Sequence, residues 1–219
     1  KLNGVGFAQP NPYPMFPNPP GLLRLEPHAA GLRERIWWGA ASNATAVWSA
    51  ENGMYLQSST LKYDESGKPF HIQQAEQIRL YKEAWKKAGH QREPRVSVSR
   101  SIFALVNDQD RYYFGQEADR ADKIGMIEKD KRAIFGRSYA AEPDQLIKEL
   151  GQDEAIQEAD TLLLTIPNTL GVDYNVHQLS AILAHVAPAL GWRKANFAMA
   201  KNLRYKTKIA VIGAGQAGL

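Results

Sequence analysis

Residues Arg35 to Gly53 read RIWWGAASNATAVWSAENG, and the rest of the chain is organised around this stretch. Ile36, Trp37 and Trp38 predict a short buried strand, and Gly39 to Ser42 predict a tight turn of small residues. Asn43 to Asn52 then predict a helix, with Gly53 as its C′ residue. Ser42, Asn43 and Thr45 stand at the start of that helix. The first amides of a helix lack intrahelical partners and sit at the positive end of the peptide dipoles, so such a turn is suited to an anion, here a ligand phosphate. The same pattern also describes an ordinary N-capped helix of any α/β unit.

Downstream, the pattern keeps alternating. Met54 to Thr60 reads as a strand and Leu61 to Pro69 as a polar loop. Phe70 to Ala88 repeats apolar residues at Ile72, Ala75, Ile78, Tyr81, Trp85 and Ala88, one stripe at helical spacing, and Gly89 ends it. Arg95 to Val106 alternates and is rich in β-branched residues, as a strand is. Gln109 to Asp130 reads as a polar helix, and Pro143 opens a further helix running to about Gly151. Thr161 to Ile166 is a continuous apolar run suited to a strand buried on both faces, and Val176 to Leu190 is an amphipathic helix. Strands alternating with helices imply parallel strands joined by right-handed crossovers. The expected class is therefore α/β, as a segment of an α/β barrel or an open doubly wound sheet.

Composition narrows the chemistry. With no cysteine among 219 residues there is no disulfide, thiolate metal site or cysteine nucleophile. The five histidines, at 28, 71, 90, 177 and 185, lack metal-ligand spacing, and no metal site is expected. The net charge of +4 is densest between Lys82 and Arg100, across a helix end, a loop and a strand, without the basic stripe and interleaved aromatics of a nucleic-acid reader. No apolar run approaches the roughly 20 residues needed to span a bilayer, and the cytoplasm is the expected compartment.

The two ends read differently from the middle. Residues 1–34 hold prolines at 10, 12, 14, 17, 19, 20 and 27, a density that suits an extended linker. Residues 194–207 form a basic second linker. Within residues 208–219, Ile209 to Leu219 reads IAVIGAGQAGL, where Gly213, Gly215 and Gly218 give the fingerprint that opens a Rossmann dinucleotide-binding unit. The receiving helix and the acidic residue expected about 20 positions later are not in the sequence, so the motif reads as a truncated one.

Taken together, IWWGAASNATAVWSAENGM, HIQQAEQIRLYKEAWKKAG, GRSYAAEPDQL and ADTLLLTIPNTLGVDYN, followed by a helix ending HVAPALGW, resemble the bacterial luciferase-like monooxygenases in order and spacing. The resemblance spans about Arg35 to Trp192 within a half-barrel unit of residues 35–193. It implies a partial (β/α)8 TIM barrel, about strands five to eight, and a flavoprotein that uses reduced FMN and O2 on a small organic substrate. The FMN would come from a flavin reductase. Relatives use the deazaflavin F420 instead, and a homo-oligomer is expected. A further reading is a half barrel that binds flavin or pairs with another subunit without catalysis.

The resemblance assigns the flavin phosphate to the turn after the family's fifth strand, which matches Ala40, Ala41, Ser42 and Thr45; Asn43 is a larger polar residue than the family's. It implies catalytic groups in the other half of the barrel and assigns none here. By their position at strand ends, Gln57, Ser58 and Asn168 are further candidates. Arg137 and Ser138 precede a helix and could meet a phosphate or substrate, although an arginine there more commonly forms a surface ion pair. Arg100 alternates with Val98 and Ile102; facing a barrel interior, it would need a partner. His177 and His185 read as exposed or capping residues.

Overall fold

The computed structural model describes residues 29–116, 121–128 and 130–192. The Pro-rich residues 1–28, the 194–207 linker and Gly213, Gly215 and Gly218 lie outside the described residues. A short 3-10 turn, Arg33–Arg35, leads into β1 (Trp37–Gly39). Helix α1 (Asn43–Glu51) follows, then β2 (Tyr55–Ser58), β3 (Leu61–Tyr63) and the long α2 (Phe70–Lys87). Next come β4 (Val96–Arg100), β5 (Ile102–Ala104) and α3 (Asp108–Phe114). A hairpin of β6 (Lys123–Glu128) and β7 (Lys131–Phe135) precedes β8 (Tyr139–Ala141). Helices α4 (Pro143–Gly151) and α5 (Glu154–Glu158), β9 (Thr161–Leu164) and α6 (Gly171–Ala181) complete the order.

The main sheet runs β1-β2-β4-β9, every pair parallel, with strand order following chain order. This is the mixed α/β architecture with parallel strands that the alternation implies. Leu56, Val96 and Val98 pack with Ile78, Tyr81 and Trp85 of α2 in one core. A second core joins Ile102, Leu146, Leu150, Leu164, Ile182 and Val186. Fully burying one such large apolar side chain is worth about 1.5–3 kcal/mol, so these two clusters fix the helices against the sheet.

Several expectations need correction. β1 is half-buried at Trp37 and exposed at Trp38 and Gly39, not the buried strand expected. The polar segment 61–69 contains β3, which pairs antiparallel with β7 in a separate three-stranded sheet, β3-β7-β6. The helix expected over 109–130 ends at Phe114, and Lys123–Glu128 is a strand; polar composition there belonged to a half-exposed hairpin, where the period is two rather than 3.6. The strand expected over 95–106 is interrupted at Ser101, so that β5 leaves β9 and pairs with β8. In α2, Ala88 falls outside the helix and Ile72 is only half-buried, while Gln73, Gln74 and Gln77 are buried in their place. The last helix begins earlier than expected, at Gly171, and loosens into a π turn (Ile182–Val186) and a 3-10 turn (Ala187–Leu190), where Pro188 cannot continue an α-helix.

Strand alternation also settles Arg100. It shares a face with Val96 and Val98, the face covered by helices, and is 2% exposed. Its guanidinium meets Asp153 in a two-pronged pair, Nε to Oδ2 at 2.7 Å and Nη2 to Oδ1 at 2.9 Å. The Tyr139 hydroxyl donates to Asp153 Oδ2 at 2.6 Å, and Asp153 also caps α5 by accepting from the Ile156 amide. Burial alone would raise the Asp153 pKa, but the hydrogen bonds and charge of Arg100 outweigh it and hold it below the usual carboxylate range. Burial and the neighbouring carboxylate push Tyr139 up to about 12. Arg100 thus has the partner it needs. Replacing Asp153 by Asn should lower unfolding free energy by about 3–5 kcal/mol in denaturant titration, because a buried guanidinium loses its counter-charge. The paired Arg100→Met, Asp153→Leu variant should recover much of that loss.

Candidate functional site

The turn from Ala40 to Thr45 follows β1 at the C-terminal end of the parallel sheet, where α/β proteins commonly place ligands. Ser42 is the N-cap of α1: its Oγ accepts from the Thr45 amide at 3.1 Å and lies 2.8 Å from Thr45 Oγ1. Ala40 is buried, and its amide is spent on Gln57 O. Ala41 gives its carbonyl to the amide of Tyr63 in β3 at 2.8 Å. The structure therefore brings Ala40, Ala41, Ser42 and Thr45 into one turn, of which Ser42 and Thr45 present hydroxyls.

One glutamine of α2 holds this turn in place, and a second holds the exit of β2 beside it. Gln77, fully buried, donates to the carbonyls of Ala40 at 3.3 Å and Ser42 at 3.1 Å while accepting from Ser58 Oγ at 2.9 Å. Gln74 donates to Ser58 Oγ at 2.8 Å and to Ser59 O at 2.7 Å. Ser58 is consequently buried toward α2 rather than offered to a ligand, a correction to its expected role. Gln57, the neighbouring residue on β2, faces the other side and is half-buried.

The charged members of the site come from the segment that reads as a plain loop. Glu65 places its carboxylate on the Asn43 amide, Oε1 at 3.2 Å and Oε2 at 3.1 Å. Lys62, only 1% exposed, sets its Nζ 2.8 Å from Glu65 Oε2 and 3.0 Å from Tyr63 O. Gln73 accepts from the Glu65 amide at 3.2 Å and donates to Asp64 Oδ1 and Lys68 O, each at 2.8 Å. Hydrogen bonds from Gln73 and the Gly67 amide, with Arg132 nearby, hold the Asp64 carboxyl below its usual range. An anion thus already rests on the α1 N-terminus, and it belongs to the chain itself. The donor set suits a phosphate: two hydroxyls, a helix N-terminus and a buried ammonium.

The remaining candidates separate. Arg137 pairs with Glu149 at 3.2 Å and covers the Tyr139 ring at 4.4 Å from its centroid, the ion-pair role. It lines a cleft of about 250 Å3 with Phe70, His71, Asp122 and the Arg100–Asp153 pair. Ser138 is half-buried and Asn168 is exposed. His185 is exposed as expected.

His177 is instead tied to a buried carboxylate. Asp110 Oδ1 accepts from Tyr174 Oη at 2.6 Å, Gln178 Nε2 at 2.7 Å and His177 Nε2 at 3.0 Å. Its Oδ2 accepts from the amides of Val106 and Asn107 at 3.1 and 3.2 Å. Burial works against the charge on Asp110, but these donors overcome it and its pKa falls below the ordinary value. Burial and the same carboxylate push Tyr174 up. Asp110 is also N3 of a capping box with Asn107, so this cluster locks α3 onto α6. The N-x-x-D spacing of residues 107–110 is the sequence signal that could have revealed it.

Asp110 and Asp153 both titrate lower when folded than when unfolded. Their contribution to stability is therefore complete above the ordinary carboxylate pKa, near 4, and disappears as pH falls through the depressed folded values. Stability measured from pH 6 down to pH 2 should drop on the acid side, with a shallower drop in Asp110→Asn.

No known family model matches the sequence, and no curated protein matches it. Among solved structures the chain is similar to the crystal structure of the monooxygenase RslO1 from Streptomyces bottropensis, with 16% identity and a TM-score of 0.47. The likeness covers 70% of this chain and 47% of that one, so the chain spans about half the length of that protein.

Proposed function

We propose that the chain is part of a flavin-dependent monooxygenase of the luciferase-like kind, and that α1 and its preceding turn hold the phosphate of FMN. The observation that carries the binding reading is the Glu65 carboxylate seated on the Asn43 amide beside the Ser42 and Thr45 hydroxyls: the place already binds an anion. In this reading the hydroxyls of Ser42 and Thr45 and the first amides of α1 grip the phosphate, while the backbone of Ala40 and Ala41 shapes the turn. The parallel order β1-β2-β4-β9 supports the reading of these strands as one arc of a (β/α)8 barrel, which would put the site at their C-terminal ends. Reduced flavin, supplied by a flavin reductase, would bring the oxygen chemistry needed to oxidise a small organic substrate.

A second reading, a half barrel that pairs with another subunit, rests on the edges of the main sheet. Among the described residues β1 pairs only with β2 and β9 only with β4. Open edges invite pairing with another chain. F420 in place of FMN is the cofactor alternative, and the ligand giving the larger thermal shift distinguishes them.

The double variant Ser42→Ala, Thr45→Val should weaken FMN binding roughly 100- to 10,000-fold in a fluorescence titration, the effect of losing two hydrogen bonds to a charged group. Riboflavin, which lacks the phosphate, should bind the variant and the parent equally. Unchanged FMN affinity would rule out this turn as the phosphate site.

A further inference from the structure

Among the described residues, the charged groups around the α1 N-terminus form a closed circuit. Lys62 is buried to 1% exposure, and the carboxylate 2.8 Å from it is the one on the Asn43 amide. The other nearby carboxylate, Asp64, is engaged by Arg132 at 2.8 Å, by the Gly67 amide and by Gln73. A buried ammonium stripped of its counter-ion is strongly unfavourable. Asp64 feels the Lys62 charge, but it is held by Arg132, so an anion that takes the place of Glu65 is what keeps the ammonium in direct contact with a counter-charge, and an incoming phosphate cannot reach the Asn43 amide while Glu65 holds it.

We propose that Glu65 is a built-in stand-in for the ligand's phosphate, and that binding is an anion exchange in which Glu65 swings out and Lys62 passes its charge partner from carboxylate to phosphate. This rests on the phosphate reading above and adds to it the residue that carries the phosphate's charge and the one that competes with it. The two are placed to act together. Lys62 lies on β3, which is tied to the turn by the Tyr63 amide on Ala41 O, whereas Glu65 lies three residues on in the loop and is 32% exposed, with solvent on one side. Asn43 Oδ1, in the same turn, is buried and accepts no hydrogen bond among the described residues.

The exchange has opposite signatures at its two residues. Glu65→Gln removes the competitor and should tighten FMN about tenfold; Lys62→Met removes the receiving charge and should weaken FMN at least tenfold. Riboflavin affinity should change in neither. Circular dichroism melts show whether each variant is folded, and Lys62→Gln, which keeps a polar terminus, replaces Lys62→Met if the latter does not fold. Inorganic phosphate should raise the melting temperature of Glu65→Gln more than that of the parent, and FMN should do so at lower concentration. Unchanged or weaker FMN binding in Glu65→Gln overturns the exchange. If Ser42→Ala, Thr45→Val still weakens FMN selectively, the phosphate site stands and only the exchange fails. If neither the parent nor Glu65→Gln distinguishes FMN from riboflavin, both fail.

Discussion

The amides of Gln73, Gln74 and Gln77, buried on one side of α2, are the interaction on which the rest of the site depends. A primary amide buried in an apolar core is costly unless its ends are paired; Gln73 and Gln77 are paired at both ends, and Gln74 is paired through its Nε2. Gln77 spans from the turn after β1 to the end of β2, Gln74 holds the exit of β2, and Gln73 holds the loop that bears Glu65. One helix face therefore sets three loops at the C-terminal end of the sheet. Packing of Ile78, Tyr81 and Trp85 lower on the same helix keeps that face in register. The Tyr81 hydroxyl donates to Met54 O, where the chain enters β2.

This arrangement joins two sheets that are built on different rules. The parallel sheet carries the turn and the helix N-terminus; the antiparallel sheet, through β3, carries the buried lysine. Gly136, just beyond β7, is part of the same junction. A side chain there would put its Cβ 2.5 Å from the Phe70 ring at the start of α2, so the residue is glycine because Phe70 occupies that space. The Phe70 amide and the Arg137 amide both donate to Asp122, which ties the hairpin to α2 from the other side. The electrostatics of the turn thus depend on an insertion between β2 and α2 that the alternation of strands and helices does not include.

That explains which parts were legible in the sequence. The strand–turn–helix at 36–52, the Gly53 cap, the Pro143 start of α4 and the apolar β9 run each carry a local signal of period, cap or breaker, and each is where the pattern puts it, although the first strand is half-buried to exposed and not buried. The capping role of Ser42 was equally local. Lys62 and Glu65 were not legible, because a buried lysine and a solvated one look alike in sequence and only the pairing of β3 with β7 buries this one. Gln73, Gln74 and Gln77 were missed for a related reason: an apolar stripe identifies the packed face of a helix but passes over polar residues buried beside it. Arg100 was read as facing a barrel interior, but it faces the helices, and its partner Asp153, the N-cap of α5, lies at a junction of α4 and α5 that no periodicity reports.

The central claim is that the α1 N-terminus binds a ligand phosphate. The most direct measurement is an 15N-resolved NMR titration that follows the amide resonances of Asn43, Ala44 and Thr45 as FMN or riboflavin is added. The account predicts that FMN shifts these three resonances together with the Lys62 ammonium and the Glu65 backbone amide, and that riboflavin leaves them in place. Shifts caused equally by riboflavin, or FMN binding that leaves the Asn43 amide unmoved, would contradict it.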